Sequence, residues 1–257
     1  MLRRRLYVVV LCAALYGVIW PQAKPPTPQA KDNSFTLDTA SRLLNLYIGR
    51  SCGARVLGGR IKRGETEQIT CGIWFSDLPE SSRLMSDLGP DDFVALLNRY
   101  FDATAGAVMA EGGEVLKFIG DAVLGIFARS EHGEDLGIRE RALAASARAL
   151  REIDALSAFG RPLEIGIALH LGEVMYGNVG TEERLDFTVI GYAVNQAARI
   201  QGLAKHLGEP VLASAEFARP LRERFLYQGA HPVAGFEGPL EVYSPRAGDP
   251  APARTRD

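Results

Sequence analysis

The sequence predicts an α+β fold, a mainly antiparallel sheet with helices on one side of it. Three observations carry this. Ile69, Cys71, Ile73 and Phe75 alternate, the mark of a strand with one buried face. Phe93, Leu96, Leu97, Tyr100, Phe101 and Val108 recur at helical spacing and make the apolar stripe of a helix. The apolar run Glu114 to Phe127 is interrupted by Gly120-Asp121, which reads as a hairpin turning there. Strand, helix, hairpin, helix, strand is an α+β order.

Taken from the N-terminus, Arg3-Arg4-Arg5 precedes an uncharged, mostly apolar run from Leu6 to Trp20. It is short for a span of about 20 residues. It reads as a short membrane anchor, as a signal peptide without a clear cleavage site, or as neither. The Pro-rich stretch from Pro21 to Asn33 is a semi-extended linker, so residues 1–33 form an apolar segment and its linker. Residues 34–65 are a helical lead-in. There Leu37, Ala40, Leu43, Leu44, Tyr47 and Ile48 form an amphipathic helix, and glycines from Gly49 to Gly64 break the pattern.

The core runs over 66–245. Its first strand ends at Ser76-Asp77, and Gly89-Pro90-Asp91 starts a helix with proline in the first turn. Gly112-Gly113 stops that helix, and the hairpin follows. Arg139 to Leu156 is Ala- and Leu-rich and helical. Leu163, Ile165, Ile167 and Leu169 alternate as a strand, and Leu171-Gly172 is expected to turn into a partner strand, Val174 to Val179. Phe187 to Ile190 is a short strand, Val194 to Leu203 a helix and Val211-Leu212 a further strand. Residues 246–257 are a polar, Pro-rich tail without a core pattern.

Composition excludes several classes. With 257 residues and 47% hydrophobic content the chain can build one large core. A net charge of -2 carries no basic excess for a phosphate backbone, so no nucleic-acid partner is expected. Cys12, Cys52 and Cys71 are odd in number and widely spaced, which suits neither a disulfide framework nor a zinc site. The four histidines show no ligand spacing.

The chemistry concentrates in a few polar residues. Asp77 and Asp121 each end an apolar run. Each alone reads as a turn residue. If the first strand lies beside the hairpin, both carboxylates reach one edge of the sheet, where Mg²⁺ takes one or two carboxylates plus phosphate oxygens and water. Two such ions clamp the attacking and leaving oxygens of a phosphoryl displacement. Lys117 stands in an apolar strand, where a lysine must snorkel or pair, with Asp121 one partner. Asn195 and Arg199 are four apart on a helix and share a face, which is either a solvated surface or part of a site.

Four blocks occur in order: Phe75-Ser76-Asp77; Gly113 through Lys117-Phe118-Ile119-Gly120-Asp121; Gly166 through His170-Leu171-Gly172-Glu173-Val174; and Asp186-Phe187-Thr188-Val189-Ile190-Gly191-Tyr192-Ala193-Val194-Asn195-Gln196-Ala197-Ala198-Arg199. Lys117 and Asp121 follow Asp77 by 40 and 44 residues, and Asn195 and Arg199 follow Thr188 by 7 and 11. Over Glu67 to Tyr243 the chain resembles the catalytic domain of the class III nucleotidyl cyclases, the adenylate and guanylate cyclases.

The resemblance implies a ferredoxin-like nucleotidyl cyclase fold and a site shared between two chains of a head-to-tail homodimer. Asp77 and Asp121 of one protomer would hold two Mg²⁺ or Mn²⁺ ions. The other protomer would bring Lys117 and Thr188 to the base, Asn195 to the ribose and Arg199 to the α-phosphate. Lysine only donates, which suits N1 of adenine and not the N1–H of guanine. The implied reaction turns ATP into 3′,5′-cyclic AMP and pyrophosphate in the cytoplasm, with Leu6 to Trp20 as a candidate tether to the inner face of the plasma membrane. Alternatives are a guanylate cyclase and a cyclase-homology module that binds nucleotide or a partner without turnover. Four positions depart from the family pattern. Tyr192 replaces a frequent acid. Thr188 stands where many relatives have aspartate. Glu80, in Leu78-Pro79-Glu80-Ser81-Ser82, adds an anion to the loop after the first metal aspartate. Ala234 takes the place of a triphosphate-binding lysine or arginine.

Overall fold

A computed structural model of the chain describes residues 37–129, 135–156 and 163–246. The apolar segment, its linker and the tail, with the expected anchor at Leu6 to Trp20, lie outside the described residues. By internal contacts the chain divides into 1–43 and 44–257. The described part of the first unit is the opening of α1 (Leu37–Ile48), the helix that the sequence pattern predicts. Within the second unit, α2 (Arg50–Leu57) occupies part of the stretch in which glycines were expected to break helical order. Gly53 is there for closeness: a Cβ would meet the side-chain oxygen of Asn45 at 2.5 Å.

Among the described residues eight strands form one sheet. They are β1 (Thr66–Asp77), β2 (Glu114–Ile119), β3 (Ala122–Ala128), β4 (Gly166–Gly180), β5 (Leu185–Ile190), β6 (Val211–Ser214), β7 (Phe225–His231) and β8 (Leu240–Pro245). The order is β2-β3-β1-β4-β6-β8-β7, with β5 also paired to β4. The β4–β6 pair is parallel and the rest are antiparallel. The helices α3 (Ser81–Leu88), α4 (Pro90–Ala110), α5 (Asp135–Asp154), α6 (Tyr192–Leu207) and α7 (Ala215–Ala218) complete the layout. The fold is therefore α+β with a mainly antiparallel sheet, as expected.

Two expectations are corrected. Helices cover both faces of the sheet. Trp74 and Phe127 pack with α4 and α5, while Ile73 and Ile126 pack on the opposite face with Ala193 and Ala197 of α6. The alternation of Ile69 to Phe75 suggests a single buried face, yet β1 is central and Cys71 to Trp74 are all buried. The Trp74 indole N–H donates to the Ser76 hydroxyl at 3.1 Å, which gives the buried indole its hydrogen-bond partner. Leu171-Gly172, for its part, is not a turn. β4 runs unbroken past it, with Leu171 opposite Gly72 and Gly172 opposite Cys71. Gly172 is needed for packing: a Cβ there would lie 2.6 Å from the Ala193 Cβ. The glycine lets α6 approach the sheet.

Candidate active site

The first half of the site is set by register. Ser76 pairs with Val123 in the antiparallel β1–β3 ladder. Asp77 and Asp121, the turn residue before β3, therefore reach the same end of the sheet. Both are half-buried. Close to both, the Tyr100 hydroxyl of α4 is, among the described residues, the one fully buried side-chain polar atom without a hydrogen-bond partner. Burial pushes its pKa up, and the charges of Asp77 and Asp121 push it further. Among the described residues no three His, Cys, Asp or Glu side chains gather as a metal cluster. Two carboxylates, completed by phosphate oxygens and water, suit Mg²⁺ or Mn²⁺ and are too few for structural zinc. The donor set fits the ions that the resemblance implies.

The second half lies at a seam in the sheet. Along β2-β3-β1-β4-β5, the first and last strands are four spacings apart. In a flat sheet that is about 19 Å at roughly 4.8 Å per spacing, more than two side chains can bridge. Yet Lys117 Nζ of β2 lies 2.5 Å from a carboxylate oxygen of Asp186 on β5. The sheet curls until its two ends face each other. Glu114 of β2 crosses the same gap and accepts from the Tyr176 hydroxyl of β4 at 2.7 Å. Here lies an open pocket of about 440 Å³, lined among others by Lys117, Asp186, Thr188, Leu124 and Val194.

A bulge aims the lysine. Val115 pairs with Gly125 and Lys117 with Leu124, so Leu116 is an extra residue. Plain alternation would set Lys117 opposite Val123, on the side of the sheet that holds Phe127. The bulge sets it beside Leu124, a pocket residue. Lys117 does not pair with Asp121, the partner weighed from the sequence, but with Asp186. Asp186 is the pocket residue, paired with Lys117, that sequence reasoning passed over. Its position two before Thr188 on a strand, and so on the same side of it, was the signal.

Asn195 and Arg199 fall on the exposed side of α6, while Gln196, Ala197 and Ile200 are buried. The shared face predicted from their spacing is present. Within one chain neither lines the pocket that holds Lys117 and Thr188; the contact runs through their neighbour Val194. Glu80 takes a left-handed backbone (φ 60) and accepts from Lys205 of α6 at 2.5 Å, with Arg83 also near. The Lys205 ammonium holds its carboxyl below the usual carboxylate range, and Arg83 adds to this. The extra anion of this loop is thus countered by a cation from α6. Ala234 is exposed, in a segment whose Phe236 ring lies 4.5 Å from the Tyr192 ring at the start of α6.

The family model for the adenylate and guanylate cyclase catalytic domain matches residues 63–243. The chain belongs to this family. An uncharacterised protein of Mycobacterium bovis is 33% identical over 222 residues, covering 84% of this chain and 38% of that protein. Another from Mycobacterium tuberculosis is 37% identical over 174 residues, covering 68% of this chain and 31% of its own length. The chain thus spans about a third of the length of these relatives. A bacterial light-regulated adenylyl cyclase is similar in structure, with TM-score 0.66 and 30% identity over 82% of this chain and 62% of that one. The adenylyl cyclase CyaB from P. aeruginosa gives TM-score 0.63 and 26% identity over 74% of this chain and all of that chain. The guanylyl cyclase Cya2 gives 0.59 and 26% over 70% of this chain and 93% of that chain.

Proposed function

We propose that the protein is an adenylate cyclase acting as a head-to-tail homodimer with two shared sites. The observation that carries this reading is the meeting of Lys117 and Thr188 in one pocket. The lysine offers a donor to N1 of adenine, and the Thr188 hydroxyl can accept from the adenine amine. Thr188 is buried, so a polar group without a partner there costs about 1–3 kcal/mol. That cost disfavours a base that leaves it unmatched.

Asp77 and Asp121 would hold two Mg²⁺ or Mn²⁺ ions, which when bound lower the pKa of the ribose 3′-hydroxyl and neutralise charge on the triphosphate. Asn195 of the other protomer would orient the ribose, so that the 3′-oxygen faces the α-phosphorus in line with the leaving group. The 3′-oxygen bonds to phosphorus, its proton passes to water, and the bond to the β-phosphate oxygen breaks to release pyrophosphate. Arg199 would donate to the α-phosphate oxygens as charge builds there. The exposed placement of Asn195 and Arg199 on α6 supports this reading, because a site completed by a second chain requires them at the surface. ATP supply places the reaction in the cytoplasm, and a cytosol-only reporter fused to the C-terminus would read that directly.

The test is cyclic nucleotide formation by purified residues 34–257 from ATP or GTP, in Mg²⁺ and in Mn²⁺. Cyclic AMP from ATP, abolished by Asp121→Ala, is the expected result. A well-folded dimer that makes no product overturns the assignment in favour of a nucleotide-binding module, and cyclic GMP as the main product overturns it in favour of a guanylate cyclase.

A further inference from the structure

We infer that Asp186 is a base-reading residue: it fixes the Lys117 ammonium across the seam and supplies the carboxylate acceptor that Thr188 does not. The inference rests on the nucleotide reading above and extends it to the residue that sets adenine over guanine.

Three features of the contact carry it. The pair spans the pocket itself, since Lys117, Asp186 and Thr188 all line it. It links two strands with no main-chain hydrogen bonds between them: β2 pairs with β3, and β5 with β4. It is also poorly placed to stabilise the fold, because the Asp186 side chain is 62% exposed, and pairs so open to water contribute about 0–1 kcal/mol. A lysine has four rotatable bonds and loses affinity for any one ligand atom when it roams. Tied to Asp186, its ammonium keeps two hydrogens free and one position. The carboxylate keeps lone pairs beyond those used by Lys117.

The result is a donor and an acceptor side by side, with the Thr188 hydroxyl beside them. The Watson–Crick edge of adenine carries an acceptor, N1, next to a donor, the 6-amine. Lys117 meets the first. Asp186 meets the second, with a charged acceptor stronger than a hydroxyl. Guanine carries the opposite pair at these positions, and its N1–H would face the ammonium. Discrimination of ATP from GTP is therefore expected in a chain that has threonine where relatives have aspartate, and it should depend on Asp186.

The test compares the wild type with Asp186→Ala, Asp186→Asn and Thr188→Ala, by equilibrium binding of 3′-deoxy-ATP and 3′-deoxy-GTP in Mg²⁺. These nucleotides lack the attacking hydroxyl, so binding is read without turnover. Asp186→Ala should weaken 3′-deoxy-ATP by about 10- to 100-fold, the range for a hydrogen bond to a charged group, and weaken 3′-deoxy-GTP far less. Asp186→Asn keeps an acceptor oxygen and should fall between. Circular dichroism should show all variants folded, as the exposed pair predicts. An unchanged ATP:GTP ratio in Asp186→Ala, or an equal loss for both nucleotides, overturns the inference. It then falls alone if cyclic AMP is still made. If no product forms from ATP but the binding ratio shifts as expected, the cyclase assignment falls and Asp186 keeps its role.

Discussion

The Arg55 guanidinium lies 5.2 Å from the ring centre of Phe187. Phe187 stands between Asp186 and Thr188 on β5, so the helix before the cyclase domain rests on the strand that carries the pocket. The same guanidinium lies 4.8 Å from the ring of Tyr176 and 2.6 Å from a carboxylate oxygen of Glu67. Arg55→Ala should lower the unfolding free energy by about 1–2 kcal/mol, from the lost cation–π contacts and the partly exposed ion pair. Urea unfolding reads this. Affinity for 3′-deoxy-ATP should fall with it if β5 moves.

The proposed sharing of the site between two chains makes a pairwise prediction. Asp77→Ala and Arg199→Ala should each lower turnover by at least about a hundred-fold, the typical cost of removing a transition-state charge partner. Mixed under conditions of proven subunit exchange, the two should recover activity, since one site of each heterodimer is intact. No recovery would mean that the carboxylates and Arg199 do not come from different chains.

Gly172→Ala should destabilise the fold by about 1–3 kcal/mol, the usual cost of overpacking. The new methyl would press on the Ala193 Cβ at 2.6 Å and on the His170 ring at 2.8 Å. Denaturant midpoints for this variant and for Gly172→Ala combined with Ala193→Gly test the mechanism, because the second change should relieve part of the strain.

Stability should depend on pH through His170. Burial pushes its pKa down to about 4, against a smaller opposing pull from Glu216. Its ring nitrogen Nδ1 bonds the Ser214 hydroxyl, which also accepts from the Phe217 N–H and so caps α7. The neutral ring is the folded form. Below about 6.5, the ordinary histidine value, the unfolded chain takes up a proton that the folded one refuses until about pH 4. Stability should therefore fall as pH drops through that window and level off beneath it. Urea midpoints from pH 7.5 to 4 should show a weaker slope in His170→Gln.

How much was legible follows from what periodicity can carry. The hairpin around Gly120, the stripe of α4 and the face of Asn195 and Arg199 rest on local spacing and appear as read, and the convergence of Asp77 with Asp121 follows from the condition set for it, that β1 lies beside the hairpin. The continuous β4 did not appear as read, because Gly172 serves α6 packing and looks like a turn when α6 is not in view. β7 and β8 were missed as well, and in β7 a bulge between Tyr227 and Gly229 spoils the alternation. The partner of Lys117 was also out of reach. It depends on one extra residue, Leu116, and on a curl that joins strands 69 positions apart.

That curl leaves two strand rims facing each other without joining. Unpaired rims are templates for adding foreign strands, so the protein must guard both while keeping them apart. It does so with charge and irregularity: Lys117 and Asp186 stand on the opposing rims, and the bulge at Leu116 breaks the even row of main-chain groups on β2. Had the rims zipped together, the barrel would have closed and filled with side chains, as small barrels do. The pocket between them exists because the two rims do not pair. A variant that removed the opposing charges would thus put at risk the solubility of a concentrated solution, besides the base selection proposed for the pair.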